Sequence, residues 1–253
     1  MSFAADELTR DAFLRGRIWL YQPKLGYRAG IDPVLLAAAA PVRDGQEVLD
    51  LGCGAGAAAL CLLARVPGAR VTGLEIQPEY CELAERNARE NGVDFHPVLG
   101  DAGDGGRALA GRNFDHVITN PPYYRAGAHT LASDAGRQRA LGEQVPLADW
   151  IATAAKRLKP RGYLHMIQRP DRVPDMLAGC AGRLGSLELL PLAPRAGRAP
   201  ELVILRARKD GRAAFRLHAP LVLHQDDMHL GNGKNYSPAI LAVQRDAAAL
   251  PWP

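Results

Sequence analysis

Short apolar runs alternate with longer helical segments through the middle of the chain, and this alternation leaves few folds open. A typical helical segment is PEYCELAERNARENG, which opens on a proline and closes on Asn-Gly, two common helix boundaries. Strands separated by helices need crossover connections, which make the strands parallel and cover both faces of the sheet. The sequence therefore predicts an α/β fold with a doubly wound, mainly parallel, seven-stranded sheet. The predicted strands are EVLDLG, ARVTGLEI, DFHPVLG, FDHVITN, GYLHMIQ, LELLPLAP and ELVILRARK.

This interpretation divides the chain into three parts. Residues 1–30 are expected to form a short N-terminal extension, residues 31–209 the α/β domain, and residues 210–253 a small C-terminal extension. No run approaches the roughly 18 apolar residues that would span a bilayer, so no membrane partner is expected. The first residues, MSFAADELTRDAF, lack the apolar core of a secretory signal, which predicts a cytoplasmic location.

The spacing of the cysteines and histidines disfavours metal and redox chemistry. Cys53, Cys61, Cys81 and Cys180 offer no CxxC pair, so we expect buried free thiols. The run HQDDMH at 224–229 has metal-ligand chemistry in a compact spacing, but it lacks the H-x-x-x-H face of a helical zinc site. We therefore predict no metal.

The charge of the chain is uneven. Residues 46–155 hold 9 Lys and Arg against 14 Asp and Glu, whereas residues 156–253 hold 16 against 8. The basic clusters KRLKPR, APRAGRAP and RARKDGRAAFR in the second part could neutralise phosphates, because a polyanion is bound largely through Lys and Arg. A solvated, arginine-rich surface would have the same composition, so charge alone favours a nucleic acid partner without requiring one.

A glycine-rich turn, LDLGCGAGA, joins the first of these strands to the next helix. Gly52, Gly54 and Gly56 let the backbone bend tightly and approach a ligand closely. Their GxGxG spacing departs from the GxGxxG dinucleotide fingerprint, which weakens a nicotinamide interpretation.

Three carboxylates mark the ends of the first three predicted strands of the α/β domain: Asp50, Glu75 and Asp101. Open α/β sheets bind ligands at this carboxyl edge. A carboxylate after the second strand can accept hydrogen bonds from both ribose hydroxyls of an adenosine and argues against a 2′-phosphate. One after the third strand is well placed for the adenine amino group. The pattern predicts a ligand that contains adenosine.

The loop ITNPPYYRAG at 118–127 follows the strand FDHVIT. Its two prolines exclude a regular helix or interior strand, because each fixes its own φ angle and removes an amide donor. The loop thus places a side-chain amide, a rigid turn and two aromatic rings at the edge that carries the glycine turn. About twenty residues without predicted structure follow at 123–145, and loops of that length usually cover or bind a ligand.

Together these motifs resemble a known family. VLDLGCGAG, VTGLEI, GDA and NPPYY resemble motifs I to IV of class I S-adenosylmethionine-dependent methyltransferases, in the branch that methylates adenine N6 and other exocyclic amines. QPKLGYRAGIDPVLLAAA and HLGNGKNYSPAI are similar to segments of one subgroup, the bacterial tRNA(Val) adenine-N6-methyltransferases that modify the anticodon loop. The resemblance implies a Rossmann-like domain, S-adenosyl-L-methionine as cofactor, S-adenosyl-L-homocysteine as product and tRNA as partner.

The resemblance also implies roles for particular residues. The glycine turn would cradle the methionine part of the cofactor, Glu75 the ribose, and Ile76 the adenine ring. The full set implied to bind the cofactor is Tyr27, Arg28, Asp32, Asp50, Gly52, Cys53, Gly54, Gly56, Glu75, Ile76, Asp101, Ala102 and Asn120. The catalytic set is Asn120, Pro121, Pro122 and Tyr123. The predicted substrate-binding set, in which the arginines could meet tRNA phosphates or be solvated, is Tyr123, Tyr124, Arg125, Arg137 and Arg139.

The Asn-Pro-Pro-Tyr loop has the groups needed to activate a weakly nucleophilic amine. The exocyclic nitrogen of adenine is a poor nucleophile because its lone pair is delocalised into the ring. Two acceptors, the Asn120 side-chain oxygen and the Pro121 main-chain carbonyl, can draw the nitrogen toward tetrahedral geometry and free that lone pair. Pro122 stiffens the loop, and Tyr123 can stack on the base. Packing or capping is expected instead for His96, His116 and His165, and core packing for Trp150.

Three other functions remain open from the sequence. Protein glutamine N5-methyltransferases share the same loop, but they carry a helical domain in front, for which the residues before Val48 leave little room. A DNA adenine-N6-methyltransferase needs a target-reading domain, for which the roughly 45 residues after the last strand are few. A non-catalytic cofactor-fold module would keep the glycine turn but would not need Asn120 and Tyr123.

Overall fold

Helices cover both faces of one mixed sheet in the computed structural model, which describes residues 3–123, 145–225 and 235–252. The strands are β1 (Leu8–Phe13), β2 (Ile18–Pro23), β3 (Glu47–Leu51), β4 (Arg70–Glu75), β5 (Phe95–Leu99), β6 (Phe114–Thr119), β7 (Leu158–Gln168), β8 (Gly185–Ala193), β9 (Leu202–Arg208), β10 (Arg216–Leu217) and β11 (Leu221–Val222). The helices are α1 (Asp32–Ala39), α2 (Ala57–Arg65), α3 (Pro78–Asn91), α4 (Leu147–Arg157), α5 (Val173–Cys180) and α6 (Pro238–Asp246). Within the described ranges, no helix is both long and apolar enough to cross a bilayer.

The main sheet has the order β10-β8-β9-β7-β6-β3-β4-β5, with β11 also paired to β8. Strand β9 runs antiparallel to both of its neighbours, and the other pairs are parallel. The predicted α/β fold and all seven predicted strands are confirmed. The described part of the sheet has nine strands, because the two-residue strands β10 and β11 add to the edge. Strands so short carry too little pattern to be found in a sequence.

The hydrophobic core lies in two clusters on opposite faces of the sheet. Strand β3 shows why, because successive side chains of a strand point to opposite faces. Val48 packs in the cluster that holds the leucines of α1 and α2, whereas Leu49 and Leu51 pack in the cluster with Ile151 of α4. A strand that is buried on both sides has a continuous apolar sequence, and VLDL fits this description.

The position of β3 in the strand order creates a crevice at one edge of the sheet. Strands β4 and β5 lie on one side of β3, and β6 and β7 lie on the other. The strand order therefore reverses at β3. In open α/β sheets a crevice forms at such a switch point, beyond the carboxyl ends of the strands. The glycine turn after β3 and the loop after β6 therefore meet at one edge.

The N-terminal residues form a hairpin of β1 and β2, which the sequence did not predict. Two asparagines of α3, one helical turn apart, hold this hairpin. Asn87 accepts from the Tyr21 amide at 2.8 Å and donates to the Tyr21 carbonyl at 3.0 Å. Asn91 makes the same pair of bonds with Trp19, at 2.9 and 2.7 Å. Four residues of helix rise about 6 Å and two residues of strand about 6.7 Å, so the two repeats match.

The C-terminal part also packs on the α/β body. Strands β10 and β11 lie beside β8, and α6 packs against α1. The Leu250 amide donates to the Ala38 carbonyl at 2.8 Å, and the Trp252 indole donates to Glu188 at 3.0 Å. The three-part division at residues 30 and 209 stays a prediction, since these contacts do not locate a boundary.

The predicted buried thiols are confirmed, because Cys53, Cys61, Cys81 and Cys180 are all free and buried. Most of the predicted long loop, residues 124–144, lies outside the described residues, and so does most of the HQDDMH run. Of that run, the described His224 stacks on Tyr236 with ring centroids 4.4 Å apart.

Candidate active site

A cavity of about 670 Å³ opens beyond the carboxyl ends of β3, β4, β5 and β6. Its walls come from the glycine turn, the residues that follow β4 and β5, and the loop after β6. The segment between β2 and α1, together with the first two residues of α1, closes another side. The fold thus brings together motifs that are spread over about 100 residues of sequence.

The glycines of the turn have positive φ angles, which side chains rarely adopt. A Cβ atom at Gly52 would lie 2.5 Å from the Trp150 ring, and one at Gly56 would lie 2.5 Å from Phe95. Gly54 is different, because a Cβ there would meet nothing within 4 Å. Gly52 and Gly56 are therefore needed for packing, and Gly54 leaves its backbone open toward the cavity that it lines.

Two buried carboxylates lie beneath the turn. Asp50 accepts a hydrogen bond from the Ala59 amide at 3.1 Å, and Glu75 accepts from the amides of Gly54 and Gln77, both at 2.9 Å. Burial raises the pKa of the Asp50 carboxyl to about 7; the Ala59 hydrogen bond opposes this rise and the Glu75 charge adds to it. Burial also raises the pKa of Glu75, against the three backbone hydrogen bonds that favour its charged form. Both carboxylates line the cavity and keep acceptor capacity for a ligand.

The next wall combines an apolar surface with polar groups. Ile76 is 46% exposed, which is unusual for an isoleucine in a cavity wall and leaves one face free for a flat apolar ligand. Asp101 accepts a hydrogen bond from the Gly103 amide at 2.6 Å, and the Ala102 carbonyl accepts one from Thr153 at 2.6 Å. Cys53 belongs to the glycine turn and also lines the cavity; burial raises the pKa of its thiol well above the ordinary value, so the thiol is neutral.

Asn120 lines the cavity at the start of the proline loop. Its side-chain Nδ2 donates to the Tyr27 hydroxyl at 3.3 Å. Its Oδ1 is buried and has no hydrogen-bond partner among the described residues. A buried carbonyl oxygen without a donor is costly, so this atom is ready to accept a hydrogen bond from a ligand. Burial and the charges of Asp32 and Asp50 raise the pKa of Tyr27 to about 12, so its hydroxyl stays protonated.

Tyr123 ends the described part of the loop, and its hydroxyl donates a hydrogen bond to the Asp32 carboxylate. Burial, followed by the Asp32 charge, raises the pKa of Tyr123 above its ordinary range. This bond fixes the ring at the cavity wall. The carbonyls of Pro121 and Pro122 accept from the side chain of Gln168, at 3.1 and 3.2 Å.

The segment before α1 meets the pocket as the resemblance implies, but its polar groups also bind protein. Asp32 accepts from Tyr123, and the Arg28 guanidinium donates to Asp11 at 2.7 Å, to Thr9 at 2.8 Å and to the Pro23 carbonyl at 3.0 Å. Arg28 thus ties the hairpin to the pocket wall. The cofactor roles assigned to this segment stay predictions.

Most predicted site residues line this cavity. Gly56 supports it from the turn, and Tyr124, Arg125, Arg137 and Arg139 lie outside the described residues. Trp150, expected only to pack, is half-buried against the core and also lines the cavity. Two glutamines were not predicted: Gln22, which lines the cavity, and Gln168, which donates hydrogen bonds to the proline loop. A glutamine that ends the apolar run GYLHMIQ was a usable signal for Gln168, whereas nothing local marks Gln22.

The other predicted packing residues lie away from the cavity. His116 and His165 are buried in the sheet with ring nitrogens 3.2 Å apart. Burial lowers the pKa of His116 to about 4, and burial also holds the pKa of His165 well below its ordinary value, so both are neutral. His96 is exposed beside Asp94. Among the described residues, no group of three or more His, Cys, Asp or Glu could hold a metal ion.

Comparisons with known proteins find methyltransferases. The family model described as Methyltransferase small domain matches residues 30–184. A tRNA1(Val) (adenine(37)-N6)-methyltransferase of Porphyromonas gingivalis is 33% identical over 216 residues, which cover 81% of this chain and 84% of the relative. A 4-amino-L-phenylalanine/4-methylamino-L-phenylalanine methyltransferase of Streptomyces pristinaespiralis is 38% identical over 129 residues, or 46% and 41% of the two chains. The crystal structure of a predicted O-methyltransferase of Agrobacterium tumefaciens has a TM-score of 0.71 at 29% identity, covering 86% of this chain and 97% of that one.

Proposed function

The chain belongs to the methyltransferase small domain family, and on that premise we propose that it methylates the N6 atom of an adenine in the anticodon loop of tRNA(Val). The methyl donor is S-adenosyl-L-methionine, and the product is S-adenosyl-L-homocysteine. The similarity to a tRNA1(Val) adenine-N6-methyltransferase over 81% of the chain supports this substrate. We place the reaction in the cytoplasm, where tRNA is modified in bacteria.

One observation carries the proposal: the buried Asn120 Oδ1 has no hydrogen-bond partner among the described residues at the wall of the cavity. Tyr27 holds the other end of this carboxamide, which leaves the oxygen as an acceptor. An adenine amino group has two hydrogens to donate. A bond from one of them to Asn120 would satisfy the orphaned oxygen and draw the amine lone pair out of conjugation.

The lining residues fit the cofactor. Buried carboxylates at Asp50 and Glu75 suit an ammonium group and ribose hydroxyls, and the open backbone at Gly54 admits a close approach. The exposed face of Ile76, beside Asp101, suits an adenine ring. When bound, S-adenosylmethionine supplies an electrophilic methyl group on a sulfonium.

The protein's own contribution is alignment. Asn120 and the Pro121 carbonyl orient the amine, and Tyr123 presents a ring on which the base can stack, a contact worth about 1–3 kcal/mol. Holding the nitrogen in line with the methyl carbon and sulfur removes the entropy cost of the encounter. His116 and His165 play no part as bases, because both lie in the sheet interior. The amine proton leaves to solvent after the transfer.

The comparisons do not favour the glutamine or DNA alternatives. The relative from Streptomyces pristinaespiralis is named for an amine on an aromatic ring, which has the same delocalised lone pair as adenine N6. The relative from Porphyromonas gingivalis covers most of the chain, including the segments outside the shared motifs. We therefore assign the proline loop to aromatic amines in general and the whole chain to tRNA.

The test is methyl transfer from labelled cofactor. The purified protein is incubated separately with total tRNA, a DNA duplex and a release factor, and we expect label in tRNA that digests to N6-methyladenosine. Asn120→Ala should abolish this transfer and leave cofactor affinity within about twofold, because the residue acts on the amine. Asn113→Ala, an exposed change before β6, is the control. Label in DNA or protein, or loss of cofactor binding together with activity, would overturn the proposal.

A further inference from the structure

Gln168 is the last residue of β7, and its side chain is completely buried. Its Nε2 lies 3.1 Å from the Pro121 carbonyl oxygen and 3.2 Å from the Pro122 carbonyl oxygen. Its Oε1 accepts a hydrogen bond from the Arg169 amide at 3.0 Å. The opposite orientation of the carboxamide would place an oxygen against two carbonyl oxygens, so these contacts fix which end faces the loop.

The loop needs such a donor because of its sequence. Pro121 and Pro122 have no amide hydrogen, so this stretch cannot pair as a strand or close a helical turn. The Pro121 residue is nevertheless buried, and a buried carbonyl without a hydrogen bond would destabilise the loop. A primary amide has two N–H groups and no charge, and it can serve two successive carbonyls from one buried position.

The Pro121 carbonyl has a second lone pair beyond the one that Gln168 occupies. That lone pair is the second amine acceptor of the proposed reaction, beside Asn120 Oδ1. Both lone pairs lie in the carbonyl plane, so a hydrogen bond that holds the carbonyl in place also fixes the direction of the remaining lone pair. The loop is also held from its far end, where the buried Arg172 lies 3.5 Å from the Tyr123 carbonyl.

We propose that Gln168 is a positioning residue, which aims the Pro121 carbonyl at the amino group of the target base. The proposal rests on the proposed function and names one further residue that the reaction needs. Gln168 acts through the loop and touches neither substrate nor cofactor. Its removal should therefore lower kcat and leave the binding of both ligands nearly unchanged.

The Gln168→Glu variant tests this positioning role, because the two side chains have almost the same shape. The oxygen that accepts from Arg169 is kept, and the donor toward the two carbonyls is lost. When ionised, the new carboxylate repels those carbonyls, and we expect kcat to fall about 10- to 100-fold at pH 8.5, because a misplacement of about 1 Å is enough for such a loss. The KM for tRNA and the Kd for S-adenosylmethionine should stay within about twofold of the wild type.

The pH profile supplies a readout that a merely structural role would not move. Burial raises the pKa of a carboxyl group, and a protonated carboxyl has an O–H that can donate to the Pro121 carbonyl. The ratio of variant kcat to wild-type kcat should therefore rise about tenfold between pH 8.5 and pH 6. Gln46→Glu is the matched control, because Gln46 accepts from the Arg43 amide at the opposite sheet edge. Its ratio should stay flat.

Gln168→Met guards against a folding defect, since it fills the same space without donor or charge. We expect the same loss of kcat with no pH dependence of the ratio. Wild-type kcat in both variants would overturn the role of Gln168, and so would a parallel loss of kcat and cofactor affinity. If Asn120→Ala is also fully active, the proposed function itself fails. If only the Gln168 variants are active, the positioning role alone fails.

Discussion

The strongest constraints at the scale of single residues are polar groups in apolar surroundings. Asp50 and Glu75 are almost fully buried and near each other, which is an unfavourable arrangement without a cation. Asn120 keeps a buried oxygen without a partner among the described residues. Groups of this kind cost folding free energy and persist where a ligand uses them. All three line one cavity, which is why the site could be located from side-chain chemistry.

Asp50→Asn should separate the stability of the protein from its function. The pKa of Asp50 is about 7 in the folded protein and about 4 when unfolded, so the folded state binds the extra proton between these values. Stability therefore falls as pH rises through 4 to 7, and the full cost of the charge remains above 7. The asparagine oxygen can still accept from the Ala59 amide. At pH 8 we expect the free energy of unfolding of the variant to exceed that of the wild type by about 1–3 kcal/mol. At pH 4 the two free energies should be equal.

Urea unfolding at several pH values measures this difference. The same variant should bind S-adenosylmethionine at least tenfold more weakly, because an ammonium group loses its carboxylate partner. A stability difference that does not change with pH would refute the destabilising effect of the Asp50 charge. An unchanged cofactor affinity would refute its role in binding.

At the scale of elements, the hairpin and α3 depend on each other. The hairpin carries Gln22 and leads to Tyr27, so its position sets one wall of the cavity. Asn87 is fully buried and bonds the backbone of Tyr21, and it also donates to the Ala55 carbonyl in the glycine turn at 2.9 Å. One side chain therefore connects the hairpin, α3 and the glycine turn.

Asn87→Ala should weaken both folding and cofactor binding. Two backbone groups of Tyr21 and the Ala55 carbonyl lose their partners, and we expect a loss of about 2–4 kcal/mol in the free energy of unfolding. Asn91→Ala breaks the equivalent, more exposed pair and should cost about 1 kcal/mol with cofactor affinity kept. Denaturant unfolding and calorimetric titration of cofactor give both quantities. Equal effects of the two changes would show that the link to the glycine turn has no role.

Across the whole molecule, the fold places the basic clusters at different edges of the sheet, a difference that composition alone could not reveal. Strand β9 runs antiparallel to both β7 and β8, so β8 has the same direction as β7 and β6, and its carboxyl end lies at the same sheet edge as the cavity. The cluster APRAGRAP, with Arg195 and Arg198, follows that end. The clusters KRLKPR and the first part of RARKDGRAAFR lie at the opposite edge, at the start of β7 and the end of β9.

Arg195→Ala combined with Arg198→Ala should therefore weaken tRNA binding. We expect a loss of affinity for all tRNA sequences and a decrease of about 1 to 2 in the slope of log K against log salt, because each phosphate contact contributes about one unit. Arg208→Ala combined with Arg212→Ala removes the same charge from the opposite edge and should leave the slope unchanged. Filter binding at several salt concentrations decides between them, and equal slopes for the two double variants would exclude the carboxyl edge as the binding surface.

Local sequence patterns were enough to predict the α/β fold, the seven strands and the two loops that line the cavity. These follow from local patterns: apolar runs of strand length, helices with proline starts, and glycine and proline at positions where φ is constrained. The family was also visible, because its motifs stand at the ends of strands and their spacing is short. The buried thiols followed from cysteine spacing alone.

Which polar groups meet at the cavity could be read only from the folded chain. Asn120 and Tyr27 are 93 residues apart in the chain, Tyr123 and Asp32 are 91 apart, and Gln168 lies 47 residues beyond Pro121. Such pairs arise from the strand order around β3, and no local pattern encodes which strand ends become neighbours. Hydrogen bonds act over about 3 Å, so a role that depends on one partner is fixed only when the sheet has assembled.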